Sequence, residues 1–159
     1  MRTISDKICT TDTLNLSKEI IFSSSDSNVS RKISSAEKAG KLKKLAPRIY
    51  TSNMLDSVES IVKRNLIDIL AWRYPNAVIS HRSAQELRPT DEGEFFLTYN
   101  FRKKISDLPG ITLNINEGPK AIEGDIHLNG IYIASEYRWM LECMQISKRK
   151  GEQSLILHN

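Results

Sequence analysis

Side chains that could do chemistry are thinly spread along this chain. Ser80-His81-Arg82-Ser83 sets two hydroxyls beside an imidazole, the ingredients of a nucleophile and its base. Neighbours in sequence seldom reach the geometry such a pair needs, and no glycine elbow surrounds the serines. The segment reads instead as a helix cap with a polar first turn. Asp125 and His127 stand two apart on a predicted strand, so they share a face and are expected to pair structurally. His81, His127 and His158 share no ligand spacing with one another or with Cys9 or Cys143, so no metal site is expected. Glu92, Glu94, Glu117, Glu123 and Asp125 fall near predicted turns and could converge on Mg²⁺ in a nuclease, but their spacing does not demand it. Neither GxxxxGK[ST] nor GxGxxG occurs, and Gly118-Pro119 and Gly124 read as turn residues. Trp72 and Trp139 lie on helical segments and read as core rather than as base-stacking platforms. No catalytic residue, cofactor or metal is assigned, and the chain is not expected to be an enzyme.

Charge is more telling. The 23 Lys+Arg and 19 Asp+Glu leave the chain at +4. Arg31, Lys32, Lys38, Lys41, Lys43, Lys44 and Arg48 are opposed only by Glu37, a local +6 that leaves −2 for all the rest. A surplus confined to one short segment makes a local field that attracts phosphate backbones, whereas a diffuse excess would only aid solubility.

That segment must sit on something rigid. Residues 1–13 read as a loose polar end. Leu14, Leu16, Ile20, Ile21 and Phe22 predict a short helix through LNLSKEIIF. The serine-rich turn 23–27 follows, with Asp26 or Ser27 as the cap of a second helix over 28–39 that stops at Gly40. Val29, Ile33 and Ala36 recur at helical spacing and form its apolar stripe. Opposite them lie Ser27, Arg31, Ser34, Ser35 and Lys38, short hydroxyls and cations that would let a helix approach base edges in a major groove. KLKKLAPRIYTSN then predicts a hairpin turning at Ala46-Pro47-Arg48. Leu42 and Leu45 are three apart, which calls for a bulge or a very short first strand. The order helix, turn, helix, basic hairpin is that of a winged helix-turn-helix over 14–53. Lys41, Lys43, Lys44 and Arg48 would lie against phosphates beside the groove.

From 54 to 147 the texture is α+β with mostly antiparallel strands. Val58, Ile61, Val62, Leu66, Ile69 and Leu70 predict one long amphipathic helix, capped by Asp56 or Ser57 and ending before Pro75. Ala77-Val78-Ile79 predicts a strand, and 80–87 a short helix. EFFLTY, RKKI, ITLNIN, IHL and IYI predict further strands, and a last helix over 135–145 is expected to turn Tyr137, Met140, Leu141 and Met144 inward. SKRKGEQSLILHN closes the chain from Ser147, with 148–159 read as a tail, docked or the start of a further element. With 159 residues, 40% of them hydrophobic, the chain is expected to be one domain or two small ones that need no disulfide. The N-terminus has no secretory signal and no run approaches the ~18 apolar residues of a membrane span, so a cytoplasmic protein is expected, with no membrane partner.

SRKISSAEKAGKLKKLAPRIYTSN resembles the winged helix-turn-helix opening of abortive-infection type IV antitoxins, whose basic hairpin runs glycine-x-leucine-x-arginine-leucine, a small turn, glycine, then a hydrophobic residue and tyrosine. AVISHRSAQEL, GEFFLTYNFRKKI and DLPGITLNINEGP are similar to later parts of the same proteins, over roughly residues 14–147. A closely similar block opens some long Fic-domain, cell-filamentation proteins. The resemblance implies a bacterial transcriptional regulator of a toxin–antitoxin system that binds operator DNA. Arg31, Ser34, Ser35 and Lys38 would then lie on the recognition helix, and Lys43, Lys44 and Arg48 on the wing. Pro47-Arg48 stands where the family has arginine-glycine. The alternative is a non-catalytic regulatory or interaction module of a Fic-type protein, whose partner is a cognate toxin or a Fic domain. The HPFxxGNGR-like Fic loop is absent from the sequence, so AMP transfer is not assigned.

Overall fold

Ile20, Ile21 and Phe22 form a strand, β1 (Ile20–Phe22), where the sequence predicts the end of a helix. The structure is a computed structural model that describes residues 16–100, 107–144, 147–149 and 152–154. Leu14 and the polar end 1–13 lie outside the described residues, as do Cys9, the predicted strand RKKI and His158. The reason for the change is a partner. β1 lies antiparallel on β3 (Ile49–Thr51), with Ile21 opposite Tyr50 and Phe22 opposite Ile49. β-branched and aromatic cross-strand pairs outweigh a weak helical spacing. Among the described residues, one helix rather than two therefore precedes the hairpin.

The chain divides into two compact units, with the boundary between Leu55 and Asp56. In the first, α1 spans Ser27–Lys38. Asp26 caps it by accepting the Asn28 N–H at 2.7 Å, and the Ser24 hydroxyl in turn accepts the Asp26 N–H at 3.1 Å. Past Ala39, the Gly40 N–H donates to the Glu37 carbonyl and the Lys41 N–H to that of Ala36, the two bonds of a Schellman end. Gly40 holds φ +70 with open space around it, so Gly40→Ala is expected to cost about 1 kcal/mol through backbone strain alone, read as a lower urea midpoint at unchanged slope. Val29, Ile33 and Ala36 pack with Ile21, Leu42 and Tyr50 into a small core in which Ile33 is 1% exposed. β2 (Lys43–Ala46) pairs with β3 in the sheet order β1-β3-β2, and the register slips between Lys44 and Ala46. That bulge buries both Leu45 and Ala46, which answers the three-residue leucine spacing.

In the second unit the predicted long helix is two, α2 (Val58–Arg64) and α3 (Leu66–Arg73). They part at Asn65, whose side-chain amide donates to the Ile61 carbonyl at 2.9 Å and so competes with the backbone ladder. Ser57 caps α2 by accepting the Ser60 N–H at 3.2 Å. Then come β4 (Val78–Ile79), α4 (His81–Glu86), β5 (Glu94–Tyr99), β6 (Thr112–Glu117), β7 (Ile126–Leu128), β8 (Ile131–Ile133) and α5 (Glu136–Met144). The strands form one sheet, β6-β5-β4-β8-β7. It is mixed rather than mostly antiparallel: β4 runs parallel to β8 and β5 to β6, while the other two pairs are antiparallel. Parallel pairing requires a crossover, which the excursions after β4 and β5 supply. Ile61, Val62, Ile69, Leu70, Tyr74, Val78, Ile79, Phe95, Leu97 and Ile131 are fully buried in this unit. β9 (Ser147–Arg149) and β10 (Glu152–Ser154) pair antiparallel within the stretch predicted as a tail. No helix among the described residues is long and apolar enough to cross a membrane.

α5 reverses the predicted orientation. Tyr137, Met140, Leu141 and Met144 are 81%, 48%, 54% and 64% exposed, while Arg138 is 6% exposed. Arg138 turns inward because its guanidinium finds four acceptors there.

Candidate nucleic-acid interface

α1 has its apolar residues on one side, and the opposite side follows from the helical repeat. Ser27, Arg31, Ser34 and Lys38 recur at four, three and four residues, so they stack in a row facing away from Ile33. All four are exposed, as is Ser35 beside them. Ser30, Arg31, Ser34, Ser35 and Lys38 line an open depression of about 420 Å³ along this face. The only groups offered there are hydroxyls, one guanidinium and one ammonium, and no side chain in the row exceeds serine except the two cations.

The hairpin is less uniform than the sequence implies. Lys41 and Lys44 are exposed and Lys43 is half-buried. Lys43 stands opposite Thr51 and Lys44 opposite Tyr50, so the two lysines point to opposite faces of the sheet. Tyr50 belongs to the face packed against α1, whereas Thr51 is buried on the other. Arg48 is the second residue of a two-residue turn and holds φ +66. Its guanidinium donates to the Ser23 carbonyl at 3.3 Å, and the Ser23 N–H donates to the Arg48 carbonyl at 2.9 Å. The turn is thereby stitched to the segment that leads into α1, and Arg48 remains exposed at its tip. The nine predicted residues are thus five on one helix face, two on opposite sides of β2, one just past the helix end and one at the turn.

The other candidates are accounted for structurally. Ser80 and Ser83 are buried, so neither hydroxyl meets solvent. Ser83 Oγ accepts the Phe96 N–H at 3.0 Å and ties α4 to β5. Ser80 precedes α4, but its hydroxyl lies 3.0 Å from His81 Nδ1 instead of on a backbone N–H. His81 holds φ +51 and stacks on Phe96. Burial lowers its imidazole pKa, partly offset by the Glu142 carboxylate. Burial together with Glu142 pushes the Cys143 thiol up, against the pull of Arg82. Asp125 and His127 do not pair. Asp125 precedes β7 and turns to Arg138, while the exposed His127 packs edge-on against Tyr132. Among the described residues, no three His, Cys, Asp or Glu side chains gather as a metal-binding group, so the carboxylates from Glu92 to Asp125 do not converge.

The cluster that sequence reasoning missed is centred on Arg138. Its Nε donates to Glu142 Oε1 at 3.0 Å, Nη1 to Asp125 Oδ2 at 2.5 Å and to the Lys120 carbonyl at 3.1 Å, and Nη2 to the Pro119 carbonyl at 2.9 Å. Asp125 also accepts the Ile122 and Ser135 N–H groups, each at 2.9 Å. Burial alone would raise the Asp125 pKa, but the backbone donors of Ile122 and Ser135 and then the Arg138 cation hold it below its usual value. The one available signal is the i,i+4 spacing of Arg138 and Glu142, which usually marks a surface pair. Compared with protein-family models, curated proteins and solved structures, the chain finds no match.

Proposed function

We propose that this protein binds double-stranded DNA and acts as a transcriptional regulator of antitoxin type, laying the outward face of α1 in the major groove with the β2–β3 hairpin beside it. The observation that carries this reading is the row Ser27, Arg31, Ser34, Lys38, exposed and set opposite the buried Ile33. Short hydroxyls allow close approach of the helix backbone, and the two cations supply contacts to phosphates and to guanine edges. On this reading α1 acts as the recognition helix and the β2–β3 hairpin as the wing, with strand β1 standing where the predicted order has a first helix.

Lys41, Lys44 and Arg48 add exposed positive charge from the hairpin side. With about four to six phosphates engaged, log K should fall against log salt with a slope near −4 to −5. Fluorescence anisotropy with labelled duplex across a salt series measures it. A slope near zero would remove the proposal.

A further inference from the structure

α5 is amphipathic in the opposite sense to an ordinary surface helix. Arg138 and Glu142 lie toward the interior in the ion-paired cluster, while Tyr137, Met140, Leu141 and Met144 stand outward. These four recur at three, one and three residues and so form a single stripe over two turns. We propose that this stripe is a self-association surface, occupied by α5 of a second copy of this chain running antiparallel across a twofold axis.

The stripe is symmetric in position about the midpoint between residues 140 and 141. In an antiparallel pair, Tyr137 meets Met144 of the second copy and Met140 meets Leu141 of the second copy. Each apolar side chain therefore covers another, as an isologous interface requires, and no ionised group of the stripe is desolvated. The Tyr–Met contacts at the two ends also bring thioether sulfur against an aromatic ring. At their observed exposures the four residues leave roughly 500 Å² of mostly apolar surface, near the upper end of what a monomer leaves bare. Two copies would bury about 1,000 Å² with their rims, the lower bound of a specific interface, so the dimer is reversible rather than obligate. The inference stands apart from the DNA-binding reading and is tested without DNA.

Sedimentation velocity on the full chain, from roughly 1 to 500 µM, should pass from monomer to dimer. Met140→Lys and Leu141→Glu, both at exposed positions, should each raise the dissociation constant at least tenfold while leaving the urea midpoint in place. Mixing the two variants should restore a heterodimer, because residue 140 opposes residue 141 with the added charges now paired. A wild-type chain that stays monomeric throughout would overturn the proposal, and so would a dimer indifferent to both substitutions. Failure of the mixture to associate would overturn the antiparallel register. Slow peroxide oxidation of Met140 and Met144 in the dilute monomer would also overturn it, since the stripe would then be covered by the chain itself.

Discussion

Replacing Arg138 with methionine is expected to remove about 3–5 kcal/mol of unfolding free energy, the usual cost of stripping one partner from a buried ion pair. Methionine fills much of the volume, so the loss comes from charge. The side chains of Asp125 and Glu142 are 0% and 12% exposed and would lose their counter-ion, while the Pro119 and Lys120 carbonyls would lose their donors. Urea unfolding should show a lower midpoint at unchanged slope, and a shift under about 1 kcal/mol would refute the central place given to this side chain. Adding Asp125→Asn to the methionine variant should recover part of the loss, because a neutral amide is cheaper to bury than an orphaned carboxylate, and the double-mutant cycle isolates that coupling. The pH dependence has a definite sign. The folded-state pKa of Asp125 lies below its ordinary value of 3.8, so its contribution is present above that value and lost as the pH falls through the lower folded one. The wild-type chain should therefore lose stability more steeply below about pH 4 than the Asp125→Asn chain does.

On the DNA side, the largest effect is expected from Arg31→Glu combined with Lys38→Glu. The two reversals lie on the same exposed face and should together weaken duplex binding by about 3 kcal/mol, more than a hundredfold. Neither touches the apolar stripe of α1, so the unfolding midpoint should hold within about 0.5 kcal/mol. Arg31→Ala alone should relax sequence choice by about 1–3 kcal/mol at one base pair, whereas Lys44→Glu should weaken all sequences alike. Because Lys43 is half-buried on the other face of β2, its reversal should act less than that of Lys44. Duplex binding unmoved by the double reversal would eliminate α1 as the contact surface.

The amino-acid sequence by itself determined those features that a few neighbouring residues decide. Asp26 and Gly40 bound α1 because a cap and a left-handed exit are local hydrogen-bond chemistry. The sidedness of α1 is likewise local, since Val29, Ile33 and Ala36 can reach one core only by leaving Arg31, Ser34 and Lys38 outside. The bulge at Leu45 could be read from a broken alternation. Tertiary structure alone decided what depends on a distant partner. Ile20–Phe22 became a strand because β3 was there to pair with it, and Lys43 and Lys44 were parted by the same register. The mixed sheet came from the meeting of β4 with β8, strands more than fifty residues apart in the chain. α5 carries an apolar stripe that periodicity alone would point inward. A buried cation with its carboxylates and carbonyls in place holds the opposite face against the interior, and that constellation exists only once Asp125 and residues 119–120 have been brought to Arg138.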